Sequence, residues 1–407
     1  MNPSARKTFN ANFTEEKYQN FLKDLNAGLH NPIAFRLAET PVFLTDDFRN
    51  NLISAGGDIV DTILQPDFKE LTERAIPEKW RVANENDHPH FIALDFGVCK
   101  DEAGNIVPKL IELQGFPSLY GFQVTLADTY KDNFEISNDQ TVYFSGLDRT
   151  SYIDLLKKTI VGDFEPGEVV LMDVNAPRQK TVVDFYLTQK YIGTPVVSLS
   201  DLEQEGDQLF YRVNGEKKRI RRIYNRLIFD EIEGDPKIFE KAVDIRQSLD
   251  VEWITHPNWF YRVSKFTMPF LNGDYIPKTQ FLHQLKEIPA DLENYVLKPL
   301  FSFAGQGVII DIAKDDIQSI KDPENWILQQ KVNYEPVVQA PDGGVKVEIR
   351  LLYLWPNGDK KPTLAINLAR LSRGKMIGVR YNHDFDWVGG TIAFMSGEQS
   401  QESRFKK

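Results

Sequence analysis

The chain has 407 residues, 42% hydrophobic and 26% charged, the make-up of an ordinary globular protein with room for about two or three domains. Its formal net charge of −11 offers no basic face to neutralise a phosphate backbone, which excludes a general nucleic-acid partner. The single cysteine, Cys99, excludes an intrachain disulfide or a thiolate zinc cluster, and no stretch nears the ~18 apolar residues of a membrane span, so a soluble, cytoplasmic chain with no membrane partner is expected.

Taken in chain order, residues 1–90 are expected to be helical. Thr14 can cap a helix carrying Tyr18, Phe21, Leu22 and Leu25 on one face and ending at Gly28. Residues 46–64 and 67–75 have similar spacing. Residues 91–98 (FIALDFGV) and 107–114 (VPKLIELQ) predict two strands around the turn-like DEAGN. In 161–262 an α/β rhythm follows. EVVLMDV (168–174) predicts a buried strand, Asn175 a helix cap, Gly193 the helix stop, and TPVVSLS (194–200) the next strand. LFYRV and RIRRIYN, joined by NGEKK, predict a hairpin. From Lys265 the pattern changes: YVLKPL (295–300) and GVIIDI (307–312) are predicted strands, then a helical DDIQSIK, WILQQKV (326–332) and VKVEIRLLYLW (345–355).

Three segments carry residue types suited to chemistry. A hairpin pairing Asp95 with Glu112 would turn between Ala103 and Gly104, and Gln114 would share the face of Glu112 because strand side chains alternate. Two carboxylates and an amide oxygen suit a hard cation such as Mg²⁺, although a solvated hairpin face gives the same pattern. In LKPLFSFAGQGV, Lys298 precedes a loop with Ser302, Gly305 and Gly307, either a phosphate cradle or an ordinary glycine turn. WILQQKVNYEP would present the backbone of Gln329, Gln330, Lys331 and Val332 to an adenine edge, with Glu335 on the ribose; a plain strand end is the alternative. Downstream, Glu348 and Arg350 share a strand face, and Arg370, Arg373 and Lys375 form a basic cluster, either solvated surface or charge stabilisation for a transferring phosphoryl group.

In order, these segments resemble the circularly permuted ATP-grasp group, typified by the synthetase domain of glutathionylspermidine synthase. FIALDFGV followed by LIELQGFPS is similar to the family's D-F and E-x-N strands, which implies a Mg²⁺ site at Asp95, Glu112 and Gln114. IRRIYNRL (220–227) resembles its "YNR" strand, HPNWFYRVSKFTMPFL its first ATP-lysine segment at Lys265, and VLKPLFSFAGQGV its second at Lys298. Gln114 stands where the family has asparagine, Gln330 stands in place of an acidic hinge residue, and the glycine loop lacks the family's arginine. The resemblance implies an ATP-grasp fold of mixed α/β and α+β class. Its parts are a helical region 1–90, a metal hairpin and part of the core in 91–160, an α/β domain in 161–262, an ATP lid in 263–335 and the remaining core strands in 336–407.

The implied activity is ligation of a carboxylate to an amine through an acyl phosphate, with ATP and Mg²⁺. Arg350 is expected at the transferring phosphoryl group, with Arg226 and Arg373 behind it, and loop 302–307 is expected to close over the phosphates. Phe116, Pro117, Ser118 and Tyr120 would line the acceptor pocket, or form a plain loop. A kinase on the same fold and a catalytically degenerate nucleotide-binding scaffold are the competing expectations.

Overall fold

A computed structural model describes residues 1–29, 31–229, 232, 242–301, 306–374, 377, 382 and 384–397. The chain opens with α1 (Pro3–Asn12), α2 (Glu15–Asn26), β1 (Val42–Phe43), α3 (Asp46–Ile63) and the single turn α4 (Phe68–Leu71). Thr14 and Thr45 accept from the backbone N–H groups of Lys17 and Phe48, capping α2 and α3. Then come β2 (Phe91–Lys100), β3 (Ile106–Gln114), α5 (Phe122–Asn133), β4 (Gln140–Thr141) and α6 (Arg149–Ile160). The middle of the chain contains β5 (Val169–Asp173), α7 (Val182–Ile192), β6 (Val196–Ser198), β7 (Glu203–Glu205), β8 (Gln208–Val213), β9 (Glu216–Ile220), β10 (Arg222–Asn225) and β11 (Glu252–Ile254). After a short helix, Pro257–Arg262, and a tight helical segment, Lys265–Phe270, come β12 (Thr279–Phe281), β13 (Tyr295–Pro299) and β14 (Trp326–Gln330). The last elements are β15 (Val338–Ala340), β16 (Gly343–Leu354), β17 (Thr363–Ser372), β18 (Gly389–Thr391) and β19 (Ala393–Ser396).

A six-stranded antiparallel sheet in the order β18-β17-β16-β2-β3, with β15 paired to β16, joins the early hairpin to the last third of the chain. Strand β2 is buried on both faces, which is why FIALDFGVC reads as a nearly unbroken apolar run. On one face Leu351 and Tyr353 meet α3, where a side chain at Gly56 would stand 2.1 Å from the Tyr353 hydroxyl; glycine lets the helix approach the sheet. Opposite that helix-covered face, Asp95 and Arg350 pair across the strands on the other side of the sheet.

Two further sheets frame that polar face. Strands β11-β10-β5-β6 form an all-parallel sheet, and β12-β14-β13 form an antiparallel one over a small core of its own (Leu282, Leu292, Leu297, Ile312, Ile317, Leu328). Strands β1-β19-β4 and the meander β7-β8-β9 complete the sheets of the described residues.

Several local expectations are corrected. GVIIDI forms no strand: Ile309 contributes one isolated bridge to Leu297, and Ile312 is buried in the small core without a ladder. Asn175 caps no helix through its side chain; a tight turn at Ala176–Arg178, containing Pro177, comes first and α7 starts at Val182. RIRRIYN is split between two sheets. The two-residue turn Asn214–Gly215, both at positive φ, pairs β8 with β9, and Arg222–Asn225 crosses to the parallel sheet. Helix is confined to Phe68–Leu71 within 67–75, continuing only as a tight turn at Glu73–Ala75. Strand β17 lies in 336–407, where core strands are expected, and it includes the first part of LARLSRGK.

Candidate active site

The pairing of Asp95 with Glu112 is present, and it depends on a bulge. From Lys100↔Ile106 to Phe96↔Leu110 the ladder runs in one register, and it shifts between Phe96 and Asp95, leaving Ile111 as the extra residue. The bulge brings the two carboxylates to one face. Gln114 also lies there, its Nε2 donating to Glu112 Oε1 at 2.9 Å. Asp95 Oδ1 accepts from Arg350 Nε at 2.5 Å, and Asp95 Oδ2 accepts from Arg350 Nη2 at 2.6 Å and from Arg370 Nη2 at 2.8 Å. Arg370 also pairs with Glu348, opposite it on β16, and Tyr334 donates to Glu348 Oε2 at 3.1 Å. Gly97, next to Glu348 in the sheet, makes room for the Tyr334 ring: a Cβ there would lie 2.8 Å from it.

Burial and neighbours set these charges against each other. Burial works to raise the Asp95 carboxyl, but the two guanidiniums more than offset it and hold it below its ordinary value. For Glu348, burial prevails over Arg370, helped by repulsion from Asp95 and Glu112, and its carboxyl is pushed up.

The late lysines face this cluster. Lys298 lies on β13 and donates from Nζ to the Ile111 carbonyl at 3.1 Å, at the bulge itself. Burial pushes its ammonium down to about 8, with Glu112 opposing and Lys265 adding to the fall. Lys265 is buried at the start of the Lys265–Phe270 segment, which packs on β3, β12 and β14. Acidic oxygens from the early hairpin and amines from the late segments thus converge.

A second group of buried polar residues lies where β5 and β10 of the parallel sheet end. Arg226, 5% exposed, follows β10; its guanidinium lies 5.1 Å from each of the Phe116 and Phe185 rings, and its Nε and Nη1 have no hydrogen-bond partner. The fully buried Asp184 accepts from the backbone N–H groups of Leu119 (3.1 Å), Gly121 (2.8 Å) and Phe122 (2.9 Å), fixing the loop after β3 to α7. Tyr120 belongs to the core rather than to a pocket wall: its hydroxyl donates to the Ile92 and Tyr353 carbonyls. The crevice beyond the carboxyl ends of parallel strands is a common ligand position.

Other expected positions fare differently. Because both Asp95 oxygens are held by guanidiniums, Asp95 does not fit as a metal ligand, and among the described residues no group of three His, Cys, Asp or Glu is placed to hold a metal ion. Glu112 and Gln114 retain an oxygen-rich pair. Arg350 commits its fork to Asp95 rather than to an open site. Arg373 pairs with Asp342, and Glu335 pairs with Lys100 at 2.9 Å on the surface, outside the cluster. In the hinge stretch, the N–H groups of Gln330 and Lys331 donate to the Lys278 and Asn294 carbonyls, so neither is available to a base; Val332 is half-buried beside them. Gly307 is exposed with φ 73°, and Ser302, Gly305 and Lys375 lie outside the described residues. Sequence reasoning missed Tyr334, Asp184 and the link from Arg370 to Asp95; the alternation in TLAINLARLS (363–372) was the available signal for the last.

No protein-family model and no curated protein matches this chain. Among solved structures, the chain is similar to a glutathione synthetase-like effector (GSS30) from Globodera pallida in its apoform, with a TM-score of 0.58 and 11% identity over 94% of this chain and 96% of that one. The two share a fold, a mixed α/β architecture of several sheets. The likeness does not single out glutathionylspermidine synthase. No helix of the described residues is long and apolar enough to cross a membrane.

Proposed function

We propose that the chain is an ATP-grasp ligase that joins a small-molecule or peptide carboxylate to an amine through an acyl phosphate. One observation carries this reading: Lys298, on β13, reaches the Ile111 carbonyl at the hairpin bulge, where it feels the charges of Glu112, Lys265 and Glu348. The likeness in fold to a glutathione synthetase-like protein supports it. Lys265 and Lys298 would bind phosphate oxygens as point charges. Arg370, a third of whose side chain is exposed, replaces Arg350 as the candidate for the transferring phosphoryl group. Glu112 and Gln114 would hold Mg²⁺, which would supply positive charge to offset that of the phosphates. Arg226, with two unpaired nitrogens between aromatic walls, would anchor the carboxylate substrate.

Trapping with hydroxylamine tests the reaction class. With Mg-ATP and a pool of small carboxylates and peptides, an acyl phosphate yields a hydroxamate, whereas a kinase yields a stable phosphoester and no hydroxamate. A second reading, a nucleotide-binding scaffold without turnover, is favoured by the Arg350–Asp95 pair, which takes a carboxylate away from metal binding. It predicts ATP binding with neither product.

A further inference from the structure

We propose that a cavity at the amino ends of the parallel strands binds a neutral saccharide; this does not depend on the nucleotide reading above. The cavity holds about 520 Å³, within the size range of small-ligand sites, and its wall includes Asn84, Gln208, Arg221, Glu252, Phe164 and Val251. Val169, Arg222 and Glu252 stand side by side where β5, β10 and β11 begin, and Glu252 belongs to the wall. Arg226 follows the other end of β10, so the cavity and the buried polar group around Arg226 lie at opposite ends of the sheet.

The ions of the wall are already matched within the protein. Arg219, also in the wall, pairs with Asp250 at 2.8 Å, Arg221 with Glu168 at 2.9 Å and Glu252 with Arg222 at 3.2 Å. A charged ligand would gain attraction from one member of each pair and meet repulsion from the other, so the wall favours a neutral one.

What these pairs leave over is hydrogen-bonding capacity in fixed directions. Glu252 accepts from Arg222 and Asn357 through Oε1, which leaves Oε2 as an acceptor. Asn84 sits in the left-handed region at φ 60°, and its Nδ2 donates to Ser248 Oγ at 3.0 Å, which orients the amide and leaves Oδ1 as a second acceptor. Arg221 meets Glu168 through Nε, leaving its terminal nitrogens as donors, and Gln208 adds an amide with both roles. A hydroxyl both donates and accepts, so a ring carrying several of them matches this mixture, whereas a carboxylate only accepts and an ammonium only donates. The half-buried Phe164 and Val251 supply an apolar side for the C–H face of such a ring.

Saturation-transfer difference NMR on the whole protein, followed by calorimetric titration, tests this with glucose, galactose, N-acetylglucosamine, trehalose and sucrose. Glutamate, spermidine and adenosine serve as charged and aromatic comparisons. At least one of the saccharides is expected to bind saturably, with Kd in the millimolar range or below, and none of the comparison ligands to displace it. Asn84→Gly, which keeps the left-handed backbone without strain, and Arg221→Met, at an exposed position, should each weaken that saccharide about tenfold, the scale of one lost hydrogen bond. Both variants should melt at the wild-type temperature. If none of these saccharides binds the wild type saturably, the proposal is overturned whatever the variants do. Saccharide binding that both variants retain overturns it too, as do signals from glutamate, spermidine or adenosine that the two variants abolish.

Discussion

The guanidinium of Arg350 holds both carboxylate oxygens of Asp95 from the neighbouring strand, in a site where both side chains are buried. Such a pair is costly to break from one side, because the buried Asp95 would keep only Arg370 to offset its charge. Arg350→Met is therefore expected to lose about 3–5 kcal/mol in urea unfolding at pH 7, and Arg350→Met with Asp95→Leu to regain most of it. A single variant within ~1 kcal/mol of wild type would contradict this role. Because the Asp95 carboxyl is held below its ordinary 3.8, the pair's contribution is complete above that pH and is lost as pH falls through the lower folded value.

Nucleotide affinity should depend on the charge of Lys298. Its ammonium titrates near 8 in the fold, so ATP should bind best below that pH and progressively more weakly above it. Between about 8 and the ordinary 10.5 the unfolded chain binds more protons at this lysine than the folded one, so this group makes stability rise with pH there. Lys298→Met should weaken ATP binding by about 2–3 kcal/mol at pH 7 and flatten the pH profile of Kd. An unchanged profile in the variant would place the titrating group elsewhere.

Glu112→Gln should remove the dependence of ATP binding on Mg²⁺, since it leaves Gln114 without a carboxylate beside it. Titrating Mg²⁺ at fixed ATP should change the fluorescence of a bound nucleotide analogue in the wild type and not in the variant. An intact Mg²⁺ response would shift the metal site away from the hairpin.

Asp184 ties the loop after β3 to α7 with three backbone N–H bonds, and its removal strands two buried donors and a half-buried one. Asp184→Ala is expected to cost at least ~3 kcal/mol, at about 1 kcal/mol or more for each donor left unpaired. Hydrogen exchange at Leu119, Gly121 and Phe122 should accelerate. A loss under ~1 kcal/mol with protected amides would show that the loop is held by other contacts.

The part of the site legible in the sequence was the part set by alternation along a strand. Glu112 and Gln114 share a face because strand side chains alternate, but Asp95 meets Glu112 only because the bulge at Ile111 shifts the register set nearer the turn. Glu348 and Arg350 were legible for the same reason. What distance in the chain concealed was partnership: nothing near Asp95 in sequence announces Arg350 and Arg370, which arrive on β16 and β17 and convert an expected metal ligand into half of an ion pair. Arg226 was found through its neighbours Tyr224 and Asn225, whereas its aromatic walls, Phe116 and Phe185, come from two other segments. In the fold, GVIIDI has the composition of a strand but pairs at one position alone, Ile309 with Leu297, while Ile312 turns into the small core.

Thermal unfolding with and without Mg-ATP is the most direct test of a nucleotide held between Lys298 and the Glu112 hairpin. At a hundredfold excess over Kd the ligand should stabilise the wild-type protein by about 2.7 kcal/mol, and Lys298→Met should show far less at the same concentration. A melting midpoint that does not move with Mg-ATP at millimolar concentration would contradict the nucleotide site.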